Sequence, residues 1–163
     1  MKNLAKGEIP PSIKAIDLTI IKKKLLHPST NEDWTAEEFD KAEIEYKKFL
    51  TLHYLHPNAN LVPTGAIDEI WHNHILNTRK YAEDCENAFG HFLHHFPSFG
   101  LNGKEDEEKL EEFYTKTASL FNQHFEGDYK TSSRGAKCRI CGSTPSRIQK
   151  LNESADVQFE EAI

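Results

Sequence analysis

The stretch of sequence that decides the fold is residues 66–85, which reads Ala66-Ile67-Asp68-Glu69-Ile70-Trp71-His72-Asn73-His74-Ile75-Leu76-Asn77-Thr78-Arg79-Lys80-Tyr81-Ala82-Glu83-Asp84-Cys85. At about 100° per residue, most of its apolar and aromatic side chains fall on one broad face, as in an amphipathic helix. Thr64 is of a residue type that caps a helix start, and Gly90 is of the type that ends one. The stretch therefore predicts one long helix between these two residues. Its buried face is predicted to contain Ile67, Ile70, Trp71, His74, Thr78, Tyr81, Cys85 and Phe89.

Three further helices are predicted around this one. The first has Ser12 as its N-cap, and the second begins after Thr35, which with Glu38 matches a capping box. The last opens with acidic residues, which the helix dipole favours at that end. They are predicted at residues 12–25, 36–56 and 105–125, and the buried face of the first at Ile13, Ile16, Ile20 and Leu25. No segment shows the alternation of a strand, so we predict an all-α fold, an irregular antiparallel bundle of about four helices.

The length of the chain suits one domain with a tail. It has 163 residues, 37% of them hydrophobic, and its mean hydropathy of -0.66 is low for a globular chain. The helical domain is predicted over residues 10–126. Helical periodicity vanishes after Gly127, so residues 127–163 are predicted to be a mobile, disordered tail that is basic and polar.

Several sequence features favour a cytoplasmic location without membrane contact. No apolar run approaches the roughly 20 residues that a membrane span needs, and the N-terminus lacks the apolar segment of a signal peptide. The three cysteines do not make a disulfide framework.

The formal net charge of -6 hides a basic segment at residues 129–150, which contains no acidic residue. The acidic body of the chain repels nucleic-acid phosphates, and the basic segment offers only Tyr129 for base stacking. Nucleic acid is therefore predicted to bind at most weakly. An acidic protein is the alternative partner of the tail.

Asp68 and His72 carry the candidate chemistry. They lie four residues apart on one helix face, the relation that two ligands have in a helical metalloprotease motif. His74 points roughly 200° away from His72, so the letters His-Asn-His cannot bring two imidazoles to one ion. A third ligand is predicted from the aromatic loop after Gly90, with His95 folding back toward the helix. The predicted site is thus Asp68, His72 and His95 around a divalent transition metal, zinc or iron.

Other roles remain open for these side chains. Asp68 can accept a hydrogen bond from an imidazole, or pair with Arg79 on the same face, with no metal present. The groups can also act in acid-base catalysis without a metal. The sequence names no reaction, so it leaves open whether the protein is an enzyme. The non-enzymatic alternative is an interaction or scaffold domain whose histidines are structural.

His74 is predicted to be a core histidine whose two ring nitrogens are both hydrogen-bonded, because it lies in the middle of the buried face. The alternative is a three-histidine site with His53 and His124 from neighbouring helices. Cys85 lies too far along the helix to join His74 on one ion, and it is predicted to be a buried free cysteine.

Two further metal motifs are incomplete. Glu69 and His72 form one Glu-x-x-His pair, whereas a di-iron bundle needs two such pairs. Cys138 and Cys141, followed by Gly142, resemble one knuckle of a zinc ribbon, but no second cysteine pair follows. A reduced pair without a metal is the alternative.

The residues of the central helix and its flanks resemble a known family. The shared pattern reads Val62-Pro63-Thr64, then Ile67-Asp68-x-x-Trp71-His72-x-His74-Ile75-Leu76-x-Thr78-x-x-Tyr81-x-x-Asp84-Cys85, then Gly90 and His94-His95-x-Pro97. Over about residues 40–100 it is similar to the domain of the glycine-rich domain-containing protein-like family, which includes small bacterial proteins and the N-terminal part of longer plant proteins. The resemblance implies an α-helical domain without a defined biochemical function, and it matches the family's histidine after the central glycine to His94 or, preferably, His95. This sequence departs from the plant form in having no glycine-rich region and no RNA-binding module.

Overall fold

The secondary structure of the chain is helical. The computed structural model describes residues 4–30, 34–96, 98, 100, 102–127 and 129, and no strand occurs among them, so the predicted all-α class is confirmed. These residues form six α-helices and a short 3-10 helix at Pro28–Thr30. The α-helices are α1 Pro11–Lys14, α2 Thr19–Leu25, α3 Ala36–Leu55, α4 Gly65–Leu76, α5 Thr78–Phe89 and α6 Lys104–His124. None of the helices in the described part of the chain is long and apolar enough to cross a membrane.

The first predicted helix, residues 12–25, is in fact two helices, which corrects the prediction. In the connection between α1 and α2, the Asp17 Oδ1 atom accepts a hydrogen bond from the Thr19 amide at 2.9 Å. An aspartate that bonds a nearby backbone amide competes with the helix for that donor. The N-cap of α1 is Pro10 rather than Ser12.

This break changes which apolar side chains reach the core. Ile20 was predicted to be buried but is 57% exposed, whereas Ile21 is 2% exposed. Ile16 and Leu18, which belong to the connection, are also buried. The connection therefore contributes buried side chains to the core, whereas Ile20, which a continuous helix was predicted to bury, lies at the surface.

The start of α3 follows the prediction. The Thr35 Oγ1 atom accepts a hydrogen bond from the Glu38 amide at 3.2 Å, and the Glu38 Oε2 atom accepts one from the Thr35 amide at 2.8 Å. Both amides would otherwise lack a partner at the helix start. The buried face of α3 packs against α4 and α6, and its largest buried side chains are Phe39, Tyr46, Phe49, Leu50 and Leu52.

The long helix predicted between Thr64 and Gly90 is broken at Asn77, which corrects the central prediction. The Asn77 backbone has φ -85° and ψ 63°, its amide donates to the His74 carbonyl, and its carbonyl accepts from the Tyr81 amide. The end of α4 and the start of α5 therefore meet at one residue, and the two helices pack against each other. Gly90 ends α5 in the left-handed conformation with φ 75°, as predicted.

Tyr129, which falls in the predicted tail, is a core residue. It is 1% exposed, and its ring centroid lies 4.8 Å from that of Phe121 and 5.6 Å from that of Tyr114. Its hydroxyl donates a hydrogen bond to the Val62 carbonyl at 2.7 Å. Tyr129 is therefore not available for stacking on nucleic acid, which corrects that part of the prediction.

The rest of the predicted tail does not belong to the described structure. Residues 131–163, including Cys138 and Cys141, lie outside the described residues. The domain boundary between residues 126 and 127, the mobility of the tail and its partners therefore stay predictions.

We expect Tyr129→Ala to lower the free energy of unfolding by about 3–5 kcal/mol, because the change removes a large aromatic side chain from the core. Tyr129→Phe keeps the ring but leaves the Val62 carbonyl without its donor, so we expect a loss of about 1–3 kcal/mol. Urea denaturation of the full chain measures both values. Glu126→Ala, at an exposed neighbouring position, is the control. A Tyr129→Ala variant as stable as this control would show that the tyrosine contributes nothing to the core.

His53 presents an unusual polar atom to the core. Its ring centroid lies 4.9 Å from that of Phe49 and 5.7 Å from that of Trp71. Its Nε2 atom is buried and has no hydrogen-bond partner among the described residues. Burial, with a smaller effect from the nearby charge of His95, lowers the pKa of His53 to about 4. The folded protein therefore holds a neutral imidazole at this position at neutral pH.

This lowered pKa predicts a loss of stability in acid. In the unfolded chain His53 binds a proton below about pH 6.5, whereas in the folded chain it binds one only near pH 4. The contribution of His53 to stability is thus fully present above pH 6.5 and falls as the pH drops toward 4, by roughly 1–3 kcal/mol in total. In His53→Gln, we expect the free energy of unfolding to vary less with pH across this window. His91→Gln, at an exposed histidine, is the control, and identical pH profiles for the two variants would contradict the assignment.

Candidate metal centre

Asp68, His72 and His95 come together beside α4. The Nε2 atoms of the two histidines lie 2.9 Å apart. Asp68 places its Oδ1 atom 3.0 Å from the Nε2 atom of His95, and its Oδ2 atom 3.5 Å from the Nδ1 atom of His72. One candidate ligand atom from each residue lies within 4.8 Å of the other two. The structure thus brings together the three residues that the sequence singled out.

Helix α4 positions two of the three side chains. Asp68 lies in its first turn and His72 one turn later, so that both side chains project from the same face. The two residues are 8% and 7% exposed. Because their spacing is set by a regular helix, only the third residue has to be brought in from elsewhere in the chain.

The loop that carries His95 is held to the helices by Tyr81. The Trp71 Nε1 atom in α4 donates a hydrogen bond to the Tyr81 hydroxyl in α5 at 2.8 Å, and that hydroxyl donates to the Leu93 carbonyl at 2.6 Å. Burial raises the pKa of Tyr81, so the hydroxyl stays protonated and can donate. Two residues after this anchored carbonyl, the chain reaches His95.

Trp71 also orients the imidazole of His95. The two rings lie 4.3 Å apart between centroids, with an angle of 31° between their planes. His95 is therefore the histidine of the loop that faces the cluster, as predicted when the sequence pattern favoured His95 over His94. His94 is exposed, and its ring lies against Phe92 instead.

The loop is less deeply anchored than the sequence predicted. Its four large apolar side chains, Phe92, Leu93, Phe96 and Phe99, predict a loop that folds back over the end of the bundle, but Phe92 is 44% and Phe96 is 66% exposed. Leu93 is partly buried against the core, and Phe99 lies outside the described residues. The hydrogen bond from Tyr81, rather than a set of buried aromatic residues, therefore fixes the course of the loop.

The electrostatics of the cluster favour a neutral imidazole at His72. Burial lowers the pKa of His72, the charge of Asp68 opposes this shift, and the charge of His95 adds to it. A neutral imidazole has a free lone pair on one ring nitrogen, which is the form that binds metal ions. The shift therefore places an uncharged nitrogen of His72 beside the Asp68 side chain.

The spacing of the ligand atoms is compatible with a transition metal. Two ligand atoms bonded to one ion at about 2.0–2.1 Å lie about 2.9 Å apart at a right angle and about 3.3 Å apart at the tetrahedral angle. The observed separations of 2.9 Å and 3.0 Å fall close to these values. Two imidazoles and one carboxylate also form the ligand set of many zinc and non-haem iron(II) sites. The residues present therefore fit either ion.

The other residues proposed around Asp68 and His72 take different roles. Arg79 is exposed, and the imidazoles of His72 and His95 lie at ion-pair distance from Asp68. Glu69 accepts a hydrogen bond from the Trp34 indole at 2.8 Å, and it does not belong to the ligand cluster. The Glu-x-x-His pair therefore does not form a di-iron ligand set among the described residues.

His74 is a core histidine, as predicted. It is 1% exposed, its Nδ1 atom lies 2.9 Å from the Tyr46 hydroxyl, and its Nε2 atom lies 2.8 Å from Asp84 Oδ2. Lys80 pairs with the same Asp84 oxygen at 2.7 Å. Both ring nitrogens are thus satisfied, and the alternative three-histidine site does not form, because His124 pairs with His56 instead.

Cys85 also matches its prediction. It is 2% exposed and forms no disulfide. Burial raises the pKa of its thiol, which makes a reactive thiolate unfavourable.

Two functional contributions were missed by the sequence reasoning. Tyr81 was assigned only to the buried face, yet its hydroxyl positions the loop, and Asp84 was not recognised as the partner of His74. In a straight helix, residues ten apart would lie about 15 Å apart along the axis. These contacts therefore need the break at Asn77, for which a polar Asn-Thr pair is the only local signal.

Comparison with known proteins places these residues in a family. The model of the UCP032817-like family matches residues 14–119, which include both α4 and the His95 loop. Glycine-rich domain-containing protein 1 of Arabidopsis thaliana is 31% identical over 121 residues, which make up 72% of this chain but only 14% of the plant protein. No solved structure matches the chain. The chain thus spans about a seventh of the length of this curated relative.

The family match extends over more than half of the chain and contains the whole Trp-His-x-His helix. It also agrees with the resemblance seen in the sequence pattern. The match to the UCP032817-like family model and the similarity to the plant protein both show that the chain belongs to the glycine-rich domain-containing protein-like family.

Proposed function

We propose that this domain binds a divalent transition metal, zinc or iron(II), through Asp68, His72 and His95. The observation that carries the proposal is the 2.9 Å separation of the two Nε2 atoms, with a carboxylate oxygen 3.0 Å from one of them. Two neutral imidazoles that face each other can share at most one proton. A cation between them gives both lone pairs a partner, and the carboxylate offsets its charge.

The number of candidate ligands among the described residues, which is three, supports a reactive rather than a structural metal. Structural zinc sites have four protein ligands, whereas catalytic sites have three and keep a position open for water or substrate. The side chains of His72, His95 and Asp68 are 8%, 10% and 12% exposed, so an ion bound to them would keep a narrow contact with solvent. We therefore propose that the metal polarises a bound water or substrate, a role that leaves the reaction itself unnamed.

A protein-interaction domain is the second candidate function. It is supported by the exposure of Phe92 and Phe96, two aromatic residues of the loop that carries His95. Aromatic side chains are enriched at protein interfaces. In this alternative the three polar residues of the cluster only stabilise the loop. A cytoplasmic location and an acidic protein partner for the basic tail, predicted at residues 127–163, are proposed from the sequence alone.

Metal analysis of the full chain tests the first proposal. The chain should carry Cys138→Ser and Cys141→Ser, so that the tail thiols bind no metal. We expect this parent protein to retain about one equivalent of zinc or iron through gel filtration. His95→Asn and Asp68→Asn should each lose it, with a fall in affinity beyond the roughly 10–100-fold that the loss of an outer-shell partner costs. Mass spectrometry of the metal content and competition with a chelator measure these effects.

His94→Asn is the matched control, because it removes the neighbouring, exposed histidine from the same loop. It should keep the full metal content, and circular dichroism should verify that every variant is folded. The proposal fails if the parent retains less than about a tenth of an equivalent and binds added Zn²⁺ and Fe²⁺ no more tightly than His95→Asn does. Loss of stability in His95→Asn without any metal dependence would favour the interaction domain.

A further inference from the structure

A second pair of facing imidazoles lies outside the Asp68 cluster. The Nε2 atoms of His56 and His124 are 2.9 Å apart, the same separation as in the pair His72 and His95. Their ring centroids lie 5.1 Å apart, and both residues are half-buried. The nitrogens are thus close enough to share one ligand and exposed enough for solvent to reach it.

The close approach of these two Nε2 atoms needs a shared partner. If both imidazoles are charged they repel each other, and if both present a lone pair the contact is also unfavourable. One proton between the rings resolves the conflict, and so does one cation. In two neutral imidazoles one ring can donate its Nε2 proton to the other, and a cation with an affinity for imidazole can take the place of that proton.

The surrounding backbone favours a cation at this place. His56 is the C-cap of α3, and His124 is the last residue of α6, so two helix C-termini meet at the pair. The helix dipole gives each C-terminus a partial negative charge, which favours a cation nearby. Among the described residues, no acidic side chain joins this pair to make a three-residue ligand group.

We propose that His56 and His124 form a second, weaker site for a divalent cation with an affinity for imidazole, namely Zn²⁺, Ni²⁺ or Cu²⁺. The two Nε2 atoms bind the ion, and water fills the remaining positions. Occupancy links the C-terminal ends of α3 and α6, which are 68 residues apart in the chain. This site does not depend on the metal proposed at Asp68, because the two share no residue.

Calorimetric titration with Zn²⁺ tests the second site in isolation. The full chain should carry Cys138→Ser, Cys141→Ser and His95→Asn, so that neither the tail nor the Asp68 cluster contributes its full ligand set. We expect one equivalent of Zn²⁺ to bind to this protein. Adding His56→Asn, or His124→Asn, should weaken that binding at least about tenfold, since each change removes one of two ligands. Adding His91→Asn, at an exposed histidine, should leave it unchanged.

The proposal is overturned if neither His56→Asn nor His124→Asn weakens the binding, or if the His95→Asn background binds no Zn²⁺. Failure of the Asp68 site leaves this result unaffected, because that site is already disabled here. A second measurement avoids substitutions in the pair. In the NMR spectrum of the chain that carries Cys138→Ser, Cys141→Ser and His95→Asn but keeps both histidines of the pair, less than one equivalent of Cu²⁺ should broaden the ring signals of His56 and His124 together. Broadening that spares both rings also overturns the proposal.

Discussion

The hydroxyl group of Tyr81 is the contact on which the candidate site depends. It accepts a hydrogen bond from the Trp71 indole and donates one to the Leu93 carbonyl, so one buried group joins α4, α5 and the loop after α5. Each of these polar groups would be costly to bury without a partner. The arrangement in this structure satisfies all of them, and in it His95 lies against Trp71 and beside His72. The geometry of the cluster is therefore a consequence of hydrogen bonding in the core.

The break at Asn77 makes this arrangement accessible. A straight helix from Gly65 to Phe89 would carry the loop roughly 27 Å away from His72 along its axis. With the break, α5 packs beside α4, and the loop after α5 returns toward α4. The same packing places Asp84 against His74, so the break serves the core and the cluster at once. A residue without a ligand role thus determines whether the ligands meet.

The features that the sequence predicted correctly are local ones. The capping box at Thr35 and the shared face of Asp68 and His72 depend on residues three or four apart, whose relation is fixed by helix geometry. The break at Asn77 and the burial of Tyr129 depend on contacts between distant parts of the chain, and no periodic pattern encodes them. His95 could be named because its loop is short and rich in histidine. The hydrogen bond from Tyr81 that holds this loop could not be predicted, because it joins groups that the sequence places on different elements.

The contact between His72 and His95 has a consequence for local unfolding. The two residues are 23 apart in the chain, so their contact closes a ring of backbone that contains the whole of α5. A segment closed in this way opens as one cooperative unit when the closing contact is lost, and its amide hydrogens exchange together. We expect occupancy of the cluster to slow amide hydrogen exchange throughout α5. A helix that contributes no candidate ligand would then report whether the site is filled.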